Sequence, residues 1–450
     1  MDMLDSKDPL VVLADTIKWS KFEDEFAQYY SKEGRPAKPI RLMVGLLLLK
    51  QLENLSDENV VIAWKRNPYF QYFCGFSDFQ TALPCHSTDL VYFRNRIGKK
   101  GFEFIFKHSI EIHSNENLNE SQVIADTTIQ ESNLTYPTDG KLAIKIINHL
   151  HKIVKVENIK LRRSYIKEIK QHRINLRFFR HPKKIIKAKA SMKRLRTIAK
   201  TILRDIDRKF GDNLELHNKY ATKFYLYIRV LLQEKNTKNK IYSLHEIDAY
   251  AVNKGKDHKG YEYGTKASVV TTKNSGIIVG VSAHRENEHD SKTIKLALEN
   301  TISNLGSKTI NEVICDRGYR GSKQIIINNE TVIDISIPSN QQKKDTPEQI
   351  NIKKEKFRRR AAIEPIIGHL KSDHRMQRNY LKGFIGDQIN LLLAATAFNL
   401  KKWMNIYFYA FFTGNLFLLK EAYQQLQHQK ELIMFLLQLE ITMKFSNLDY

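Results

Sequence analysis

Apolar positions change their spacing several times along the chain, and each change predicts a different kind of element. Over residues 39–100 they recur with helical period. Pro39 opens the strongly apolar "IRLMVGLLLLKQLENL", Ser56 precedes "DENVVIAWKRN", and Ser87-Thr88 precede "DLVYFRNRIGKK". Proline and hydroxyl side chains at such places predict helix starts. Short helices with basic ends suit either a helix-turn-helix-like DNA-binding module or a plain helical bundle. At 121–136 the period falls to two. In "SQVIADTTIQESNLTY" the apolar Val123-Ile124-Ala125 and the β-branched Thr127-Thr128-Ile129 predict a strand, which Asp126 interrupts.

A helical stretch over 141–240, broken at Pro182, comes next. Then "IYSLHEIDAYAVNKG", "YEYGTKASVVTT" and "GIIVGVSAHREN" predict three strands separated by Gly and Lys turns. "DSKTIKLALENTISNL" predicts an amphipathic helix, with Asp290 read first as its cap and, in "NEHDSKT", with His289 and Asp290 as the alternative neighbours of a functional site. In "NEVICDRGYRG" the run Val313-Ile314-Cys315 predicts a strand ending at Asp316, and "ETVIDISIPS" a further one. A linker over 340–350 leads to a last helix, "AAIEPIIGHLK". Strands and helices in this order predict an α/β layer with a mixed sheet.

A length of 450 residues exceeds one ordinary hydrophobic core and implies two or three domains. The patterning divides them into a helical domain over 1–115, a core built from 116–140 and 241–400, a basic helical insertion over 141–240, and a helical tail over 401–450. Residues 1–15 mix Asp and Lys and predict no signal peptide. The most apolar run, 403–419, contains Asn405, Thr413, Gly414 and Asn415, so a buried helix pair is expected there and no membrane span. Cys74, Cys85 and Cys315 have neither a disulfide framework nor zinc spacing, which fits a reducing cytoplasm.

Charge changes the picture. Of a net +24, residues 141–240 carry +22, and 151–200 alone hold 18 Lys and Arg against 2 Asp and Glu. Solvated helical faces interleave acids with bases, whereas this density attracts a polyanion through counterion release. Nucleic acid is the expected partner, with Lys183, Lys184, Lys187 and Arg194 as candidate phosphate contacts.

Three carboxylates then stand out. Asp126 and Asp316 each follow an apolar β run, and if those strands are neighbours the two side chains can converge at the sheet edge. Glu364 lies between Arg360 and Lys371 behind the run Lys356-Phe357-Arg358-Arg359-Arg360. Arg360, Glu364 and Lys371 fall within about 40° on a helical wheel, although Pro365 belongs in a first turn and places Arg360 outside the regular helix. Convergent carboxylates repel unless they surround cations, and oxygen-only ligation suits Mg²⁺ or Mn²⁺. Two such ions can clamp a phosphodiester displacement. His284, His289, His369 and His374 are further candidates for phosphate contact.

Together "ADTTIQESNLTYPTD", "CDRGYRG" and "RRRAAIEPIIGHLKSDHRM" make the chain resemble the DDE transposases of bacterial insertion sequences, in particular the insertion-sequence-five superfamily. That family places an Arg four residues before the catalytic Glu, a Lys seven after it, and a Tyr three before the Arg. Arg360 and Lys371 match, while Phe357 keeps the ring and lacks the hydroxyl. The resemblance covers about residues 10–400. It implies a ribonuclease-H-like core, Asp126, Asp316 and Glu364 as catalytic metal ligands for two ions, and Arg360, Lys371 and Arg317 on DNA. It further implies a nucleoid-associated homodimer that cuts and joins transposon ends, with terminal inverted repeats and target DNA as partners. A catalytically idle DNA-binding descendant and a nuclease without strand transfer are the alternatives.

Overall fold

The computed structural model describes residues 4–408 apart from 32, 34–35, 114–117, 180, 235, 257–258, 307–309, 322, 329–330 and 338–344. From 409 on, the predicted tail and helix pair lie outside the described residues. The chain divides into two compact units, Met1–Leu118 with Ala395–Tyr450, and Asn119–Ala394.

The first unit is helical: α1 (Pro9–Thr16), α2 (Trp19–Ala27), α3 (Ile40–Leu52), α4 (Asp57–Arg66), α5 (Pro68–Phe73) and α6 (Ser87–Glu111), with 395–408 also helical. Pro39 and Ser56 start α3 and α4 as expected, Ser56 accepting from the Asn59 amide at 3.1 Å. The cap of α6 is instead His86, whose ring accepts from the Thr88 amide while Asp89 returns a bond to the His86 amide. Residues 42–52 of α3 are buried throughout, so this helix is core and cannot enter a DNA groove. Its buried Lys50 joins Arg94 of α6 on Asp57, a charge pairing that ties α3, α4 and α6 together.

The second unit is built on one mixed sheet. Its strands are β1 (Gln122–Ser132), β2 (Tyr250–Lys256), β3 (Lys259–Thr272), β4 (Ile278–His284), β5 (Glu312–Ile314), β6 (Gln324–Ile327), β7 (Thr331–Ser336) and β8 (Arg378–Asn379). The order is β2-β3-β1-β5-β7-β6, with β4 on β3 and β8 on β1. β3 runs antiparallel to β1, β2 and β4, whereas β1–β5 and β5–β7 are parallel. The sequence pattern missed β6, "QIII", which has no period of two, and extended the first of the three middle strands too early, since 241–249 is not strand.

Between β1 and β2 stand α7 (Asp139–Val156), α8 (Ile166–Leu176), α9 (Ile185–Phe210) and α10 (Leu214–Leu232). They enclose a core of their own, including Leu150, Leu195, Ile198, Ile202, Ile206, Phe224 and Tyr227. Burying that apolar stripe turns the Lys and Arg residues of α9 outward. The unit also contains α11 (Asp290–Leu305), α12 (Pro347–Ala361) and α13 (Ile363–Ser372), and its residues 383–394 are helical as well. The break at Ala362 is where the expected effect of Pro365 falls: proline lacks the amide that would bond one turn back, so α13 starts afresh.

Candidate active site

β1 and β5 pair in parallel with Ile124 opposite Ile314. Two residues further along each chain stand Asp126 and Asp316, and the period of two puts both on the same face as those isoleucines. Ile363 of α13 packs on Ile124 and Ile314 in one small core cluster, and that contact delivers the next residue, Glu364, to the same place. Local apolar pairing thus sets all three carboxylates.

The location differs from the sequence expectation in one respect. Asp126 and Asp316 are not at the sheet edge, because β1 and β5 are central strands. β5 stops at Ile314 while β1 continues to Ser132, where β8 pairs with its last two residues. The carboxylates gather in the notch left along β1 between β5 and β8.

Arg360, in the last turn of α12, reaches into this group. Its guanidinium lies 2.8 Å from Glu364 Oε1, 3.5 Å from Asp126 Oδ2 and 3.7 Å from Asp316 Oδ2. The other oxygens are partly fixed by backbone: Asp126 Oδ1 accepts from the Thr127 amide at 2.7 Å, and Asp316 Oδ1 from the Gly318 amide at 2.8 Å. Side-chain exposure rises from 15% at Asp126 through 35% at Asp316 to 59% at Glu364, so the group opens to solvent on the Glu364 side. Beside it lie Cys315 and Tyr319, both buried. Burial first, then Asp316 and Asp126, pushes the Cys315 thiol well above its usual range, so it is not a nucleophile.

Asp290 belongs to the same neighbourhood and was undervalued by sequence reasoning. It does not cap α11, since His289 does, accepting from the Ser291 amide. Its carboxylate instead takes bonds from Thr127 and Lys266. The short run "NEHDSKT" was the only local signal, and a helix start explains it equally well. His284 is corrected as well: it is buried against Ser268 and Ser282, and burial lowers its pKa to about 4, so it is neutral and enclosed. His374 is likewise buried, and His369 bonds Asp373.

Among the predicted DNA contacts, Lys183 and Lys184 just before α9 and Lys187 and Arg194 in its first half are all exposed. Lys184 lies over the Phe178 ring at 4.4 Å, and Arg194 bonds Glu168 at 2.6 Å. Arg317 is exposed in the short turn after Asp316, and Lys371 is in the last turn of α13.

Among the described residues no three His, Cys, Asp or Glu side chains are spaced to hold a metal ion as they stand. The donor set nevertheless fits one chemically. Asp126, Asp316, Glu364 and Asp290 face Arg360 and Lys266, and that count leaves two negative charges, the charge a divalent cation balances. All the donors are oxygen, and a guanidinium already occupies the cation position between three of them.

Residues 1–96 match the family model described as "Transposase domain (DUF772)", and residues 235–400 match the model described as "Transposase DDE domain". An uncharacterized protein, ORF8 in the nfe locus of Rhizobium meliloti, is 38% identical over 183 residues, which span 40% of this chain and 88% of that protein. No solved structure matches.

Proposed function

We propose, from the premise that the chain belongs to the DDE transposases, that it binds the ends of an insertion sequence, cuts them and joins their 3′ ends to target DNA. The observation that carries this reading is the convergence of Asp126, Asp316 and Glu364 on one guanidinium in the notch beside β1. The finer assignments go with it: an insertion-sequence-five type of enzyme, a ribonuclease-H-like core, two ions, and a homodimer on DNA.

In this mechanism Asp126, Asp316 and Glu364 hold Mg²⁺ or Mn²⁺. Bound there, the ions supply the Lewis-acid charge that a phosphodiester displacement needs. The remaining work belongs to the chain. Arg360 turns from the carboxylates to a DNA phosphate, for which its planar fork is suited. Lys371 and Arg317 flank the same strand and place the scissile phosphate. The Asp126 and Asp316 oxygens stay pinned by the Thr127 and Gly318 amides, so the donor geometry is set before DNA arrives. α9 grips the duplex through phosphate contacts, which position DNA without reading sequence.

The test is an in-vitro reaction between DNA carrying the sequences that flank the coding region and a labelled target. Joined product is expected. Cut ends without joining reduce the proposal to a nuclease, and absence of both refutes it.

A further inference from the structure

The two oxygens of Asp290 face different partners. Oδ1 accepts from the Thr127 hydroxyl at 2.9 Å and from Lys266 Nζ at 3.0 Å. Lys266 is 7% exposed and also donates to the Glu288 carbonyl at 2.6 Å, so a buried cation fixes Oδ1. No described residue donates to Oδ2. That oxygen looks toward Gly318: a Cβ on this glycine would stand 3.0 Å from Asp290 Oδ2 and 3.0 Å from Asp316 Oδ1. Two carboxylate oxygens from different elements therefore flank a space that any other residue would fill. Thr127, the clamp on Oδ1, is the neighbour of Asp126 in β1, so the same short stretch of strand orients both acids.

A second observation points to a ligand at this place. Tyr319 is 1% exposed, and its hydroxyl forms no hydrogen bond of good geometry among the described residues, with only the Thr127 side chain close enough to interact. Thr127, the side chain beside that hydroxyl, is the same residue that donates to Asp290 Oδ1. A buried hydroxyl without a good bond is costly unless something bound nearby accepts or supplies one.

We propose that Asp290 is a further cation-binding residue of the centre, its Oδ2 acting with Asp316 Oδ1 on a divalent cation in the gap that Gly318 keeps open. This rests on the reading of Asp126, Asp316 and Glu364 as metal-holding residues. The competing role is purely structural, with Asp290 only neutralising buried Lys266. Removing that pair together leaves no uncompensated buried charge, so the structural role predicts a normal protein from the double change.

Mn²⁺ binding to the full-length protein, followed by loss of the free-ion EPR signal, separates the two. Asp290→Asn combined with Lys266→Met is expected to lower Mn²⁺ affinity at least tenfold with an unchanged circular dichroism spectrum. Gly318→Ala keeps every charge and every amide, and the glycine has no left-handed backbone to preserve. Its methyl group intrudes between the two oxygens, and an affinity loss of at least threefold is expected. Wild-type affinity in either folded variant overturns the proposal, and Gly318→Ala decides alone if the double variant does not fold. Asp126→Asn serves as reference: if it too binds Mn²⁺ like the wild type, the reading of the whole centre fails and not only the part given to Asp290.

Discussion

Arg360 touches all three carboxylates of the centre, and its loss separates two things that occur together in the native chain. Asp126→Ala, Asp316→Ala and Glu364→Ala are each expected to lower cleavage by at least about a hundredfold, the scale of one preorganised electrostatic group. DNA affinity should remain near normal, because none of these changes reduces the basic surface. Retention of cleavage within tenfold in any one variant, measured under single-turnover conditions, removes that residue from the site. Arg360→Gln acts differently. It leaves three acids facing one another, and in EDTA the second unit should lose about 1 kcal/mol, or roughly 2–4 °C in melting temperature, given the part-exposed pairing. Mg²⁺ should then raise the melting temperature of Arg360→Gln more than that of the wild type, since the ion no longer competes with a guanidinium. Equal Mg²⁺ shifts in calorimetry would show that Arg360 and the metal do not share a place.

At the scale of elements, the notch depends on β1 continuing after β5 has stopped. The far half of β1 is held by a buried polar network around Asp387, which accepts from Thr265 of β3 and Asn379 of β8, while Gln130 of β1 donates to the Asp387 carbonyl. Burial dominates these bonds and raises the Asp387 pKa to about 6. The sign follows directly. The folded chain keeps a proton that the unfolded chain releases near pH 4, so this group's contribution is fully present below about pH 4. It is lost as pH rises through about 6, a total of about 2–3 kcal/mol. Asp387→Asn carries no such proton. Urea unfolding should show the wild type falling relative to Asp387→Asn between pH 4 and 7, and parallel curves would refute the assignment. The end of β1 should also protect its amides from exchange better at pH 5 than at pH 7.

The scale of the whole molecule is governed by charge, with +22 of the net +24 in residues 141–240. α9 and the turn before it carry part of this charge outward because α7–α10 bury their own apolar core. Replacing Lys183, Lys184, Lys187, Lys189, Lys193 and Arg194 by Ala should flatten the dependence of log K on log salt by about four to five, at ~0.9 per phosphate lost. Six full contacts would give about 5.4, and the shortfall from that comes from Arg194, which already has Glu168 as a partner. Specific and random DNA should weaken alike. An unchanged slope in filter binding would move the DNA surface elsewhere in the chain. Within the first unit, burial excludes α3 as an element that could read DNA sequence.

Much of this was legible without coordinates. Helical and alternating periods located most of the elements, and segregation of charge marked α7–α10, because both are properties of residues near one another along the chain. The chemistry of three isolated acids, two in apolar runs that disfavour a charge and one alone among bases, also stood out locally. Only the tertiary structure could place them together. Asp126 and Asp316 come abreast through the pairing of Ile124 with Ile314, a register set between strands separated by nearly two hundred residues. Glu364 joins them because Ile363 fills the space over those isoleucines. β6 was hidden because a run such as "QIII" becomes a strand only when a partner like β7 supplies its hydrogen bonds. Asp290 looked like a cap for the same reason, since a helix start is a local pattern and a bond to Thr127 or Lys266 is not. Period and composition are written along the chain, whereas register, notch and shared cation arise from contacts that exist only once distant strands have paired.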